Sequence, residues 1–349
     1  MTLTQAALIT RRIIKYGTFF IVFLIVARMA WGIGFGIYRK ISPEKPPPPT
    51  VAFGRLPKLS FSSQDGLPKL SYVLQTPTGV LPTLPTITTV YFMPQDKASF
   101  LKLEEGTSKA QRLGFSEPPR EISETIYKFQ NSEAPISLDM NIANKTFSLS
   151  YDLSKNPELL SLRPQSAQEA ISTVTSFLSQ AGLLTEDLQN GRKTSDFIKV
   201  EGGALVRAIS LSEANFIRVN LFRSDYNNLP VVNPDRQKGN VWFLVSGNSS
   251  QSRSVIAGEY HYFPVSQDKS STYPLKTSQM VWDELVGGQG FIIQPSTLGS
   301  GQVVIRRVGL AYYDSGRPQE FLQPVVVFEG DGDFVAYVPA ITADYYGGD

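Results

Sequence analysis

The 349-residue chain sets 33 Lys and Arg against 31 Asp and Glu, a formal charge of +2, so it lacks the basic stripe that a general nucleic-acid role requires. Its apolar fraction of 42% is enough to build cores, which excludes wholesale disorder, and the length has room for two ordinary domains. With no cysteine and a single histidine, His261, the chain has no disulfide, thiolate nucleophile, Cys-based zinc site or lipidated cysteine anchor, and any Ser-His-Asp triad or His-rich metal site must use that one imidazole.

Residues 1–15 read as a short cytoplasmic tail. Residues 16–38, Tyr16 to Tyr38, read as a transmembrane helix: 23 residues cover a bilayer core of ~30 Å at ~1.5 Å each. Arg28 near the centre costs about 2.5–3.5 kcal/mol, while each Leu, Ile, Phe or Val returns roughly 0.3–0.6 kcal/mol. Eleven such residues favour insertion, with Arg28 snorkelling or finding a partner. A membrane arginine is also a candidate functional residue. A cleaved signal peptide fits less well, because no A-x-A site follows. Arg11, Arg12 and Lys15 before the segment outnumber Arg39 and Lys40 after it. That margin favours a cytoplasmic N-terminus, with the bulk of the chain extracytoplasmic. Gly32 and Gly36 form a G-x-x-x-G, whose close helix approach supports a homodimer; a Gly-rich end to the anchor is the plainer alternative.

Residues 39–55 read as a Pro-rich stalk. Pro46 to Pro49 favour a polyproline II rod of ~3.1 Å per residue, a spacer or, alternatively, an SH3-type ligand. Next comes a doubled stretch, Leu56-Pro-Lys-Leu-Ser-Phe61 and Leu67-Pro-Lys-Leu-Ser-Tyr72, around the turn-forming Ser62-Ser-Gln-Asp-Gly66. Alternating Leu59 and Phe61, then Leu70 and Tyr72, predict two short strands of one hairpin.

A first α+β domain is expected over 56–155. Ile87–Met93 reads as a strand, Asp96 as the cap of a helix running to about Leu113 with Gly106 as a blemish, and 124–130, 136–142 and 145–153 as further strands. A second α+β domain is expected over 160–343. Ser166 and Glu169 form a capping box. Ala167, Ala170, Ile171, Val174, Leu178 and Ala181 follow at one-faced helical spacing, and Gly182 ends the helix. Phe216–Phe222 alternates like a half-buried strand; 241–247 and 255–263 continue the sheet; Ser278–Val286 is a second helix; strands at 303–313, 324–328 and 334–338 finish the domain. Long runs of strands between few helices favour α+β architecture with mostly antiparallel sheets.

The stretches SAQEAISTVTSFLSQAGL and YPLKTSQMVWDELVGGQGFI, each followed by strands, look like PepSY-type and YycH/YycI-type extracytoplasmic regulators over roughly residues 165–340. Val308-Gly-Leu-Ala-Tyr-Tyr313 with Pro324-Val-Val-Val327 is similar to the ending of YycI-like proteins, with a valine where that pattern carries Trp after the proline. The single N-terminal membrane helix matches that layout. Such a resemblance implies membrane-tethered regulation of a sensor kinase or an envelope enzyme, with no catalysis of its own.

Catalytic lookalikes are few. Ser99-Phe-Leu-Lys102, Ser246-Gly-Asn248 and Lys276-Thr-Ser278 echo the three motifs of penicillin-binding enzymes, but the last opens a helix and lacks its glycine. They are the candidates for the alternative reading, an envelope enzyme acting on cell-wall polymers; a structural envelope scaffold is a third. Glu329, Asp331 and Asp333 imitate the start of a calcium loop, yet Phe334 and Ala340 stand where its Gly and Glu belong, so an Asp-Gly hairpin turn explains them better. His261 is expected in a strand, partly exposed and facing away from Tyr260 and Tyr262, with a pH-sensing role as the sharper reading. Gly287-Gly-Gln-Gly290 reads as a helix stop, Tyr312-Tyr313 as placing at least one ring in the core, and Tyr345-Tyr346 as a polar tail. Exposed sheet aromatics could instead bind glycan or peptide. The sequence therefore predicts a non-enzymatic membrane-anchored regulator or sensor that binds another envelope protein, with no assigned catalytic, cofactor or metal residue.

Overall fold

The computed structural model describes residues 3–41, 48–61, 70–95, 99–247, 254–297 and 301–348. The chain divides into two units, residues 1–48 and 49–349, each described by itself. The first holds helix α1 (Leu3–Ile41). Its stretch Ile14–Phe35, 22 residues at a mean hydropathy of 2.0, is long and apolar enough to cross a membrane, and none of it is buried against protein. Along Ile14–Phe35 apolar side chains ring the helix instead of forming one stripe, the pattern of a helix that meets no core of its own. Residues 3–15, expected as a tail, continue the same helix.

In the second unit two short strands come first, β1 (Leu56–Pro57) and β2 (Ser71–Leu74), then β3 (Ile87–Phe92) and α2 (Phe100–Arg112). Four strands follow: β4 (Arg120–Glu121), β5 (Ile126–Gln130), β6 (Ile136–Asn141) and β7 (Phe147–Tyr151). Helices α3 (Ala167–Gln180) and α4 (Glu186–Asn190) lead into β8 (Lys193–Glu201), β9 (Ala204–Arg207) and β10 (Phe216–Leu221). After β11 (Val231–Val232) come β12 (Val241–Ser246), β13 (Val255–Tyr260), β14 (Ser266–Pro274) and α5 (Ser278–Val286). Strands β15 (Phe291–Gln294), β16 (Gln302–Tyr313), β17 (Phe321–Gly330), β18 (Val335–Pro339) and β19 (Tyr346–Gly348) close the chain. The architecture is α+β with mostly antiparallel sheets, as expected.

The first sheet has nine strands in the order β4-β5-β6-β7-β13-β12-β10-β8-β9, each pair antiparallel. Helices α2 and α3 cover one face. The Ser166 hydroxyl accepts from the Glu169 N–H at 3.1 Å, which starts α3; Ala170, Val174, Phe177 and Leu178 face the sheet; Gly182 at φ +64° stops it. Gly106 is no blemish: it is buried, and a Cβ there would meet Ile142 at 3.3 Å, so it lets α2 lie close on β6. Asp96, the expected cap, lies outside the described residues; Ser99 stands at the N-cap. On β10, Ile217, Val219 and Leu221 enter the core as alternation predicts. The opposite face is not solvent: Asn220 is fully buried, its amide donating to Asp196 at 3.1 Å and Thr194 at 3.2 Å, with Arg218 also on Asp196.

Strands β11, β16, β17, β18 and β15 follow one another in the second sheet, with β2 also on β16 and β3 joining β14 to β17. Helix α5, capped where the Thr277 hydroxyl accepts from the Met280 N–H, packs Val281 and Leu285 on one face. The doubled stretch is not a hairpin. Its first copy supplies β1, which runs parallel to β19; its second leads into β2, which runs parallel to β16. Leu59 and Phe61 pack on one face of the second sheet, and Leu70 and Tyr72 on the other. The same residue pattern is thus used twice to cover two faces of one sheet. Residues 62–69 between the copies lie outside the described residues.

Two boundaries move. The division expected between residues 155 and 160 runs through the first sheet, where β7 pairs with β13. The end of the expected stalk belongs to the folded unit: Val51 N–H donates to the Thr272 carbonyl at 3.0 Å, Thr50 bonds Ser271 and Thr272, and Phe53 N–H reaches the Tyr273 hydroxyl. Pro46 and Pro47 lie outside the described residues.

Candidate functional site

The two sheets meet at a buried ionic clasp. Each contributing element ends there: β10 runs out into Phe222-Arg223, β16 into Asp314, β13 into Tyr262-Phe263, and α4 supplies Asp187. The Arg223 side chain is 4% exposed. Its Nε donates to Asp314 at 2.6 Å, its Nη1 to Asp187 at 2.8 Å and its Nη2 to the Phe263 carbonyl, while the guanidinium stacks 4.2 Å from the Tyr262 ring centre. Thr185, Tyr226 and Tyr262 hydroxyls all donate to the Asp187 carboxylate. Burial alone would push that carboxyl up; the Arg223 charge, helped by these donors, holds it below the usual carboxylate range. Burial disfavours the Arg223 charge too, but Asp314 and Asp187 more than restore it, so the guanidinium holds its proton more tightly than in water. Burial raises Tyr226 as well. Every group in the clasp is spent on another, the pattern of a structural joint.

Beside the clasp opens a cleft of about 850 Å³. One wall is β16 from Arg307 to Ala311; the other is the segment Pro230–Arg236; Val327 and Tyr337 form the floor. Tyr337 donates to the Asn233 carbonyl at 3.1 Å, which fixes that segment over the sheet. At the rim Arg236 and Arg307 share one carboxylate, Glu329, at 2.6 and 2.8 Å. Five consecutive residues of β16 line the cleft, although side chains on one face recur only at every second position, so the cavity reaches round the strand's edge.

The sequence-derived candidates stand apart. Ser99 heads α2, with Lys102 on Glu105 at 3.8 Å. Ser246 ends β12 and donates to the Ser254 carbonyl. Lys276 lies between β14 and α5, its side chain 6% exposed and its ammonium bound to Glu284 at 2.7 Å and the Pro339 carbonyl at 3.0 Å. Glu329 and Asp331 are held by arginines, Asp331 by Arg306 at 2.6 Å, and the turn between β17 and β18 accounts for the Asp-Gly run. Among the described residues no three His, Asp or Glu side chains are placed to hold a metal. His261 lies just past the end of β13, half-buried, its backbone N–H on Asn240 O; burial lowers its pKa, with Glu259 opposing. Gly287 caps α5, and Gly288 at φ +77° turns the chain away. Both Tyr312 and Tyr313 are core, at 0% and 1% exposure. Tyr346 is no loose tail: its hydroxyl accepts from the Leu59 N–H at 3.0 Å. Arg28 and Gly32 lie on the apolar stretch of α1, and Gly36 follows it in the same helix. Sequence reasoning missed Arg223, Asp187 and the cleft; an arginine following the buried β10 run was the one local signal.

No protein-family model matches this sequence, and no curated protein matches it. Among solved structures it is similar to an uncharacterised protein from Eubacterium rectale, at 11% identity and a TM-score of 0.42 over 76% of this chain and 86% of that one.

Proposed function

We propose that this is a membrane-anchored, extracytoplasmic, non-enzymatic regulatory or sensor protein that binds another envelope protein. The observation that carries the reading is the cleft at the exposed edge of β16 in a folded unit that follows an apolar helix, Ile14–Phe35, unburied along its length. A helix apolar all round is at home in lipid, and Arg28 within it is the one strong opposing charge. The excess of Arg11, Arg12 and Lys15 over Arg39 and Lys40 favours a cytoplasmic N-terminus with the folded unit on the outer face. A cavity at the junction of two sheets is where binding sites recur. The role is the one implied by the resemblance to PepSY-type and YycI-like regulators.

The test has two arms. Full-length protein is fractionated, and protease is added to intact cells; the expected result is membrane association with the folded unit digested. Cross-linking in the same cells then recovers a second envelope protein. Fractionation with cytosol, or a folded unit untouched by external protease, overturns the reading.

A further inference from the structure

We propose that the open edge of β16 receives an extended peptide segment of the partner protein, paired in the same sense as β2 and β11. This rests on the reading of the molecule as a partner-binding module and names the kind of contact it makes.

Among the described residues, one edge of β16 is covered at both ends and bare between. At one end β2 pairs as far as Leu74 opposite Ile305; at the other β11 begins with Val231 opposite Tyr312; both run parallel to β16. Before the gap, odd positions face this edge: Ser71 N–H donates to the Gly301 carbonyl and Gln75 N–H to the Ile305 carbonyl. Opposite β17 the register shifts between Ile305 and Arg307, an inserted residue that flips the alternation. Beyond it even positions face the edge, since Tyr312 N–H donates to Pro230 O and Asp314 N–H to Val232 O. Val308 and Leu310 therefore turn their N–H and C=O groups toward the cleft. Pro230 has no N–H to offer the Leu310 carbonyl, so β11 cannot extend its pairing backward. What the gap lacks is a strand of about four to six residues at ~3.3 Å each.

The cleft also describes the guest's side chains. Gly309 has open space where a Cβ would stand, and Ala311, Val327 and Tyr337 give a smooth apolar floor that takes β-branched residues. Arg236 and Arg307 divide a single carboxylate, so an acidic residue at the Arg307 end of the guest completes the rim.

The experiment uses the full chain in detergent micelles against a displayed library of random heptapeptides. Selected binders are expected to be β-branched with an acid near one end, and to slow amide exchange at Val308 and Leu310. Val308→Pro removes an N–H that faces the guest and none that bonds β17, so it should fold and lose binding by about tenfold, the order of one hydrogen bond. Gly309→Trp occupies the open space in a strand that tolerates a side chain and should abolish binding with thermal unfolding unchanged. Should Val308→Pro fail to fold, Gly309→Trp decides. A library without binders, or binders indifferent to Gly309→Trp, overturns the proposal. An envelope partner whose cross-link survives both substitutions would leave the partner-binding reading standing and sink the edge; a cytosolic protein whose peptides obey both substitutions would do the reverse.

Discussion

The two sheets are assembled by opposite routes. In the first, β4 to β7 pair in chain order through short turns, and the later strands β8, β10, β12 and β13 pair as antiparallel neighbours. In the second, β16, β17 and β18 pair locally, but the flanks come from far away: β2 and β11 join β16 in parallel, β3 joins β14 and β17, and β1 joins the final strand. A sheet of local hairpins pairs its inner strands as it forms and leaves open only its outer strands, here β4 and β9. One completed by distant, short, parallel pieces leaves gaps wherever no piece reaches, and the bare stretch of β16 is such a gap. The proposed binding surface thus sits in the region whose assembly is least local.

The sharpest way to break this comparison is at the clasp that joins the sheets. Arg223→Met leaves Asp187 and Asp314 buried without their cation, and removal of one partner from a buried pair costs about 3–5 kcal/mol. Denaturant titration should show that loss; an effect under about 1 kcal/mol would mean the sheets hold together without the clasp. Acid sharpens the same test. The Asp187 carboxyl titrates below its unfolded value, so the unfolded chain binds the extra proton first. Its contribution is complete above the ordinary carboxylate pKa of about 3.9 and drains away as pH falls through the lower folded value. In Arg223→Met the depression goes, and the stability-against-pH curve over that window should flatten. An unchanged slope would assign the acid sensitivity elsewhere.

Next in size are core truncations, one in each region. Phe243, at 0% exposure in the first sheet, packs against Phe177 of α3 and Phe147 of β7. Phe243→Ala should cost about 3–5 kcal/mol. Leu56, also at 0%, belongs to the first copy of the doubled stretch and reaches the core of the second sheet. Leu56→Ala should cost about 2–5 kcal/mol if that copy is a structural flank. A value near zero in chemical denaturation would return the repeat to the role of an exposed motif.

What could be read from the sequence follows the same division. Strands β6 and β7 announce themselves by alternating apolar residues, and β16, β17 and β18 by continuous apolar runs, each with a partner one turn away. Helices α3 and α5 show their caps and stripes. By contrast, β8 (KTSDFIKVE) and β14 (SQDKSSTYP) carry polar residues that bond across the sheet or to distant segments, so no alternation marks them. The doubled stretch misleads for a physical reason: a Gly-containing turn between two alternating runs is what a hairpin looks like, and only competition from β16 and β19, more than 200 residues on, decides otherwise. Arg223 was illegible because its partners at 187, 263 and 314 come together only once both sheets exist.

The smallest effects compare the two capped helices. Ser166 caps α3, which covers the first sheet through five buried side chains; Thr277 caps α5, whose buried side chains on the second are Val281 and Leu285. In each the hydroxyl accepts one backbone N–H, at 3.1 and 3.3 Å. Replacement by Ala exposes that donor and should cost about 0.5–2 kcal/mol at either site. The difference lies in what unfolds. A long helix pinned across several strands frays only at its first turn, whereas the nine residues of α5 have little beyond that turn to hold them. Thr277→Ala should therefore speed amide exchange throughout α5, and Ser166→Ala only near the start of α3. Equal spread of exchange in both helices would show that the second sheet grips its helix as firmly as the first, and the contrast between locally and remotely assembled regions would fail at this level.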